Sequence, residues 1–326
     1  MINTRQLGSD GPSVGALGLG CNGMSLQLPR DDAEAVATLE AALEAGVTLL
    51  NTGDFYGMGH NETLVGRAIR GKRDSAVLSV KCGALFTPDG RFLGVDGRPA
   101  SVKNFAAYSL QRLGVETIDI YQVGRPDPAV PYEETIGAIA DLIAAGYVRY
   151  LGVSEIGADL LRRAHAVHPV TALEIEYSLA CRFIEHEILP TARALGIGVV
   201  AYRVLADGLL SGMVTSEPTA GNMHLVPPRL KDPALAANLL IVSELRVLAA
   251  AKGCTAAQLA VAWLLTRGDD IVPLLGMRRR TRLGENLSVL DLVIDPDELT
   301  FLDRLFAPDK IAGARYPDFV LKYAAK

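Results

Sequence analysis

The sequence predicts an α/β fold, a single (β/α)8 barrel over residues 1–326, and three observations lead to it. Eight short β-branched or apolar runs recur along the chain. Segments of helical character alternate with them, and glycines stand where several of those segments end. Parallel strands joined by helical crossovers at this length favour a closed barrel over an open sheet.

Residues 16–19 form the first predicted strand and lead to a helix over 31–45, which Asp31 or Asp32 caps and Gly46 ends. The second strand, 47–50, precedes a helix at 61–70. The third, 76–80, is separated from its helix at 102–113 by an irregular stretch, 82–100, and Gly114 closes that helix. Strands at 118–122, 148–153 and 170–175 alternate with helices at 132–145, 158–166 and 184–195, with Gly146 and Gly196 at two of the helix ends. Strand 198–201 is followed by a second irregular stretch, 206–231, and then by paired helices at 233–251 and 256–266. The last strand, 270–275, runs to a helix from about Arg279. In a barrel both long loops fall on the C-terminal face, where binding sites are assembled. A doubly wound sheet is the structural alternative. Against it, Gly18-Leu19-Gly20-Cys21-Asn22-Gly23 carries only a partial glycine pattern, and no compact helix is expected to start there.

Composition narrows the function classes. A formal net charge of -5 and the absence of a clustered basic face argue against a nucleic-acid partner, and Arg278-Arg279-Arg280 is too short to act as an arm. The first ten residues, MINTRQLGSD, lack the apolar stretch of a signal peptide, and no run approaches the roughly 18 apolar residues of a membrane span. The expectation is a soluble, cytoplasmic protein with a small-molecule substrate. Cys21, Cys82, Cys181 and Cys254 stand singly, in neither a metal nor a disulfide spacing, although Cys21 and Cys82 fall at strand ends where they would line a pocket. His60, His165, His168, His186 and His224 are scattered, no metal site is expected, and Trp263 is assigned to core packing.

Six motifs, in order and one per strand, carry a family resemblance. Leu50-Asn51-Thr52-Gly53-Asp54-Phe55-Tyr56-Gly57, with Gly59-His60-Asn61-Glu62 after it, resembles the aldo-keto reductase signature behind strand two. Leu78-Ser79-Val80-Lys81 resembles the strand-three segment ending in lysine, and residues 118–127 align with the strand-four motif. Gly152-Val153-Ser154-Glu155, Glu176-Tyr177-Ser178-Leu179 and residues 276–286 are similar to the motifs of strands five, six and eight. The resemblance implies a barrel with an N-terminal β-hairpin and hydride transfer from NADP(H) to a carbonyl. Tyr56 stands at the position of the proton-donating tyrosine and Lys81 at that of its lysine partner. The pair has a direct rationale: a phenol of pKa about 10 needs a nearby ammonium to exchange protons near neutrality.

The same alignment exposes departures. Asn51 takes the place of the family's aspartate and Gly124 that of its histidine. Without a carboxylate beside it, a desolvated Lys81 is expected to have a lowered pKa. Gly124 leaves a gap that Arg125 or a bulkier substrate would fill, and Phe55, Phe86 and Arg125 are expected to line the substrate pocket. Glu174 replaces the family's glutamine at the nicotinamide carboxamide, where Ser154 and Glu155 also fall. Tyr202 holds the place of the tyrosine that stacks on the nicotinamide, followed by Arg203 where a small residue is usual. An ion pair between Glu174 and Arg203 is one expectation, contact of either with the ligand the other. Leu205, Gly208, Leu209 and Ser211 match the pyrophosphate loop, with Asp207 unfavourable there unless it turns away. Gly276, Arg278, Arg279, Arg282, Glu285 and Asn286 match the adenosine end, where a helix N-terminus and guanidinium groups suit a 2′-phosphate. The leading expectation is therefore an NADP(H)-dependent reductase of a carbonyl or conjugated double bond. The alternatives are a redox-neutral lyase, isomerase or cyclase using Tyr56, a neutral Lys81 and Glu174, or a non-catalytic NADP(H)-binding regulatory protein.

Overall fold

A computed structural model describes residues 2–218 and 226–325. Its centre is a closed barrel of eight parallel strands. A two-stranded antiparallel hairpin, β1 (Thr4–Gln6) and β2 (Ser13–Gly15), comes first. The barrel strands are β3 (Gly18–Gly20), β4 (Leu49–Gly53), β5 (Val77–Cys82), β8 (Ile118–Val123), β9 (Val148–Ser154), β10 (Val170–Glu176), β11 (Gly198–Tyr202) and β12 (Ile271–Gly276). A second hairpin, β6 (Ala84–Phe86) with β7 (Phe92–Val95), stands in the loop after β5 and gives order to the stretch expected to be irregular.

The outer layer is helical. Helix α1 (Gly23–Leu26) is a single turn in the segment expected to hold none, and α2 (Asp32–Glu44), α3 (His60–Ala68) and α4 (Pro99–Leu113) follow. Then come α5 (Tyr132–Ala144), α6 (Ala158–Val167), α7 (Ile188–Ala194), α8 (Ala234–Ala251), α9 (Ala256–Leu265), α10 (Leu283–Leu287), α11 (Pro296–Leu305) and α12 (Asp318–Leu321). Asp31 caps α2 by accepting from the Glu34 amide, and Gly46, Gly114, Gly146 and Gly196 all take the left-handed backbone that ends a helix. Helix α8 has 18 residues of mean hydropathy 1.7, long and apolar enough by composition to cross a bilayer. Asn238, Glu244 and Arg246 interrupt its apolar run, and Leu235, Val242, Leu245 and Ala249 pack into the core.

All eight strands extend past their predicted C-terminal ends by one to three residues, and those additions include polar residues of the site. Asn51, Lys81, Ser154, Glu176 and Tyr202 remain in the ladder because the barrel interior buries them, whereas an apolar-run criterion stops at the first polar residue. Segment 279–291 also differs from the helix expected from about Arg279: short 3-10 turns at Arg280–Arg282 and Ser288–Asp291 flank the five-residue α10. Helix 184–195 shortens to α7 behind a 3-10 turn at Phe183–Glu185. Cys21 and Cys82 are fully buried and do not line the main cavity; burial pushes the Cys21 thiol up to about 12. Trp263 is buried as expected, donating to Asp303 at 2.9 Å and meeting Tyr177 edge to face. His224 lies outside the described residues.

Strand alternation stacks the barrel interior in layers. At the N-terminal end Leu7 and Val14 of the first hairpin pack with Leu49, Ile120, Ala172, Val200, Val272 and Leu274 as a dry plug. Two residues further along the same strands, the inward positions become Asn51, Gln122, Glu174 and Tyr202. A polar floor therefore sits on an apolar one, and a cavity opens above it.

Candidate active site

The polar floor is one hydrogen-bonded cluster. The Lys81 ammonium donates to Asn51 Oδ1 at 2.6 Å and to Glu174 Oε1 and Oε2 at 2.8 and 3.1 Å. Asn51 Nδ2 in turn donates to Glu174 Oε2 at 2.7 Å, and Gln122 Nε2 donates to the same oxygen at 2.6 Å. Ser79 Oγ accepts from Asn51 at 3.2 Å and from Gln122 at 3.4 Å. The register explains the meeting: Asn51 pairs with Ser79 and Lys81 with Gln122 across β4, β5 and β8, and Glu174 faces them from β10 across the closed barrel.

This geometry corrects two expectations. Glu174 pairs with Lys81 and not with Arg203. Lys81, moreover, does not lack a carboxylate; Glu174 supplies it from another strand. Burial works against the ammonium, but Glu174 and Tyr56 outweigh it and hold the Lys81 pKa above the ordinary lysine value. The Lys81 ammonium lies 5.4 Å from the Tyr56 ring centroid. The phenol, buried and facing Glu174 as well as Lys81, is held above its ordinary pKa, burial being the largest cause.

Above Tyr56 a cavity of about 550 Å³ opens on the C-terminal face. Phe55, Phe86, Phe92 and Tyr323 form one wall, with successive ring centroids 6.1, 5.5 and 6.1 Å apart. Gly124 lines this cavity. A Cβ built there would meet the Phe55 ring at 3.5 Å, so Phe55 occupies the space beside it. Arg125 lines the cavity and donates to Gly124 O at 2.5 Å, Tyr202 Oη at 3.2 Å and Tyr316 Oη at 2.9 Å.

The opposite wall is tied together by ion pairs. Tyr202 Oη donates to Glu155 Oε1 at 2.7 Å and meets Tyr316 Oη at 2.6 Å. Glu155 pairs with Arg315 at 2.7 Å; burial opposes its charge, but Arg125 and Arg315 hold its carboxyl below the usual range. Arg203 stacks on Tyr316 with its guanidinium 4.2 Å from the ring centroid and pairs with Asp207 at 3.0 Å. Asp207 also accepts from Arg229 at 2.7 Å, so its charge is neutralised on both sides. Arg229 is buried and takes Glu176 at 2.6 Å as its second partner. Arg229, Arg315, Tyr316 and Gln122 escaped the sequence reading. Gln122 was findable, since it shares the inward parity of strand β8, whereas nothing local marks the others.

A groove continues from Gly20 and Tyr56 past Leu205 and Gly208 to Gly276 and Asn286. Along it Ala206, Asp207 and Gly208 take left-handed φ of 50°, 60° and 93°, a tight backbone turn in which Leu209 is buried and Ser211 Oγ bonds Gly208 O. Ser154 Oγ is buried with no hydrogen-bond partner, as a position awaiting a polar group would be. At the far end Arg279 and Arg282 are exposed, Arg282 pairing with Glu285 at 2.6 Å, and Arg278 bonds Gln27 and Pro29 O. Because α10 has only five residues, the cationic feature at this end is the set of guanidinium groups and not a helix terminus.

The model of the aldo/keto reductase family matches residues 16–307. The chain belongs to that family. Among solved members, this aldo/keto reductase superposes on the glycerol dehydrogenase of Gluconobacter oxydans with a TM-score of 0.83 and 29% identity, covering 95% of this chain and 98% of that one. An aldo-keto reductase from Bacillus halodurans, solved in holo form, gives 0.80 at 25% identity over 94% and 97% of the two chains. One from Klebsiella pneumoniae, in complex with NADP and acetate, gives 0.75 at 28% identity over 97% and 99%. The family is one of oxidoreductases that use a nicotinamide cofactor and small-molecule substrates.

Proposed function

We propose that this aldo/keto reductase uses NADP(H) to reduce the carbonyl, or a conjugated double bond, of a small organic substrate, with Tyr56 as proton donor. The observation that carries the reading is the buried cluster beneath Tyr56, in which Lys81 lies 2.8 Å from Glu174 and 2.6 Å from Asn51. The family's carboxylate and amide are both present, on each other's positions. Lys81 keeps its counter-charge, and the ammonium beside Tyr56 favours the tyrosinate that forms when the proton leaves.

The unpartnered Ser154 Oγ, the Tyr202 ring and the turn at Leu205–Gly208 fit a nicotinamide nucleotide, with Arg278, Arg279 and Arg282 near a 2′-phosphate. Bound NADPH supplies hydride to the substrate carbon. The chain's own residues hold the carbonyl oxygen against Tyr56 and keep Lys81 charged beneath it. Glu155 and Glu174, expected at the carboxamide, spend their charge on Arg315 and Lys81. A redox-neutral reading needs a neutral Lys81 base, and the Glu174 contact opposes it.

The test is NADPH oxidation over a panel of aldehydes and ketones, comparing the protein with Tyr56→Phe. The expected loss is roughly 100-fold or more in kcat/KM, the scale of a removed general acid. Turnover unaffected by the substitution would sink the assignment.

A further inference from the structure

Four carboxylates in and beneath the cavity are each matched to a cation. Glu174 pairs with Lys81, Asp207 with Arg203 and Arg229, Glu176 with Arg229, and Glu155 with Arg315. Arg125 stands apart. It lines the same cavity, yet among the described residues no carboxylate lies within 4.0 Å of it. Its hydrogen bonds go to neutral acceptors only: Gly124 O, Tyr202 Oη and Tyr316 Oη. Its Nε is buried and has no partner at all. A guanidinium carries five N–H donors, so these contacts leave about two of them unmet.

The carboxylate that acts on Arg125, Glu155, is reached only through the Tyr202 hydroxyl and is already paired with Arg315, and proteins that hold a cation in this way pair it directly or bind an anion to it. The position of Arg125 fits the second case. It follows strand β8 directly behind Gly124, close enough to Tyr56 to act on the phenol electrostatically. The same cavity is lined by Phe55, Phe86 and Phe92, which offer no polar group of their own. These rings therefore suit an apolar or aromatic body, and Arg125 a planar anion held in the guanidinium fork.

We propose that the substrate of this site is a carbonyl compound bearing a carboxylate, and that Arg125 is the residue that binds it. The proposal rests on the reductase reading for the carbonyl, but the carboxylate site has its own test. Isothermal titration calorimetry with benzoate and with its neutral isostere benzamide, at constant ionic strength, measures the anion preference without turnover. Benzoate should bind at least tenfold more tightly than benzamide, the scale of a charge-assisted hydrogen bond. Arg125→Met should abolish that preference while leaving benzamide within about threefold, and Arg125→Lys should keep part of it. No preference in the wild-type protein overturns the proposal, as does a preference that survives in Arg125→Met. If Arg125→Met does not fold, the wild-type comparison and Arg125→Lys still decide. A protein that binds benzoate through Arg125 but oxidises no NADPH sinks the reductase reading alone, whereas a reductase indifferent to benzoate sinks this one alone.

Discussion

At the scale of single residues, the proposed chemistry rests on the contacts of Lys81 with Asn51 and Glu174. Glu174→Gln should leave Lys81 buried with two amides and no anion, and breaking such a pair costs about 3–5 kcal/mol. Asn51→Asp places a second carboxylate where Nδ2 now donates at 2.7 Å to Glu174, and two acids so close must share a proton. Each single change is expected to cut kcat/KM by tenfold or more. The double variant Asn51→Asp/Glu174→Gln restores one acid and one amide, and should return to within about tenfold of wild type. Steady-state kinetics on the four proteins form the cycle; a double variant no better than Glu174→Gln would show that the carboxylate's strand matters and not merely its presence. From the sequence, Tyr56 and Lys81 were legible because their motifs are local. The partnership of Lys81 with Glu174 was not, since 93 residues separate them and only barrel closure brings them together.

At the scale of elements, all eight strands and most helices were legible from apolar runs and glycine stops. Strand ends were misplaced wherever a buried polar residue continued the ladder. The last helix failed for a different reason: its Arg-rich start resembled a helix N-terminus, but the chain there folds into separate short turns. The corner between β4 and α3 carries a prediction of its own. Asp54 Oδ1 is buried without a partner, and burial together with Glu62 of α3 pushes its carboxyl up to about 8, against the pull of Arg112. An unfolded aspartate titrates near 3.9, so between roughly pH 4 and 8 the native state holds a proton that the unfolded chain releases. Stability contributed by this group must therefore fall as pH rises through that window, by at most about 1.4 kcal/mol per pH unit. Asp54→Asn, neutral throughout, should match wild type near pH 4 and exceed it by up to a few kcal/mol at pH 8.5. Urea unfolding midpoints at the two pH values check this; parallel pH curves for the two proteins would remove Asp54 from the account.

At the scale of the whole molecule, the C-terminal segment is bound to the barrel by charge. Arg315 reaches Glu155 and Glu176 from the tail, Tyr316 meets Tyr202, and the Arg229 amide donates to Ala314 O. Arg229 is the knot: Glu176 of β10, Asp207 of the loop after β11 and the tail backbone all converge on it. Arg229→Met should destabilise the fold by about 3–5 kcal/mol, because Glu176 and Asp207 lose a buried partner. It should also weaken NADPH binding, which fluorescence titration would follow. Unchanged stability would mean that Arg203 and Arg315 suffice. No sequence signal announced this arrangement: Glu155 and Glu176 lie in recognised motifs, but their partners Arg229 and Arg315 do not, and they come from distant parts of the chain.

The acid and the amide beneath Tyr56 are also unequal in how they tolerate change. A variant with two amides strands a buried ammonium, whereas one with two acids survives by trapping a proton between them. The doubly acidic variant is therefore expected to keep more of the fold's stability than the doubly amidated one, and to keep it best in a mildly acidic milieu where the shared proton is retained.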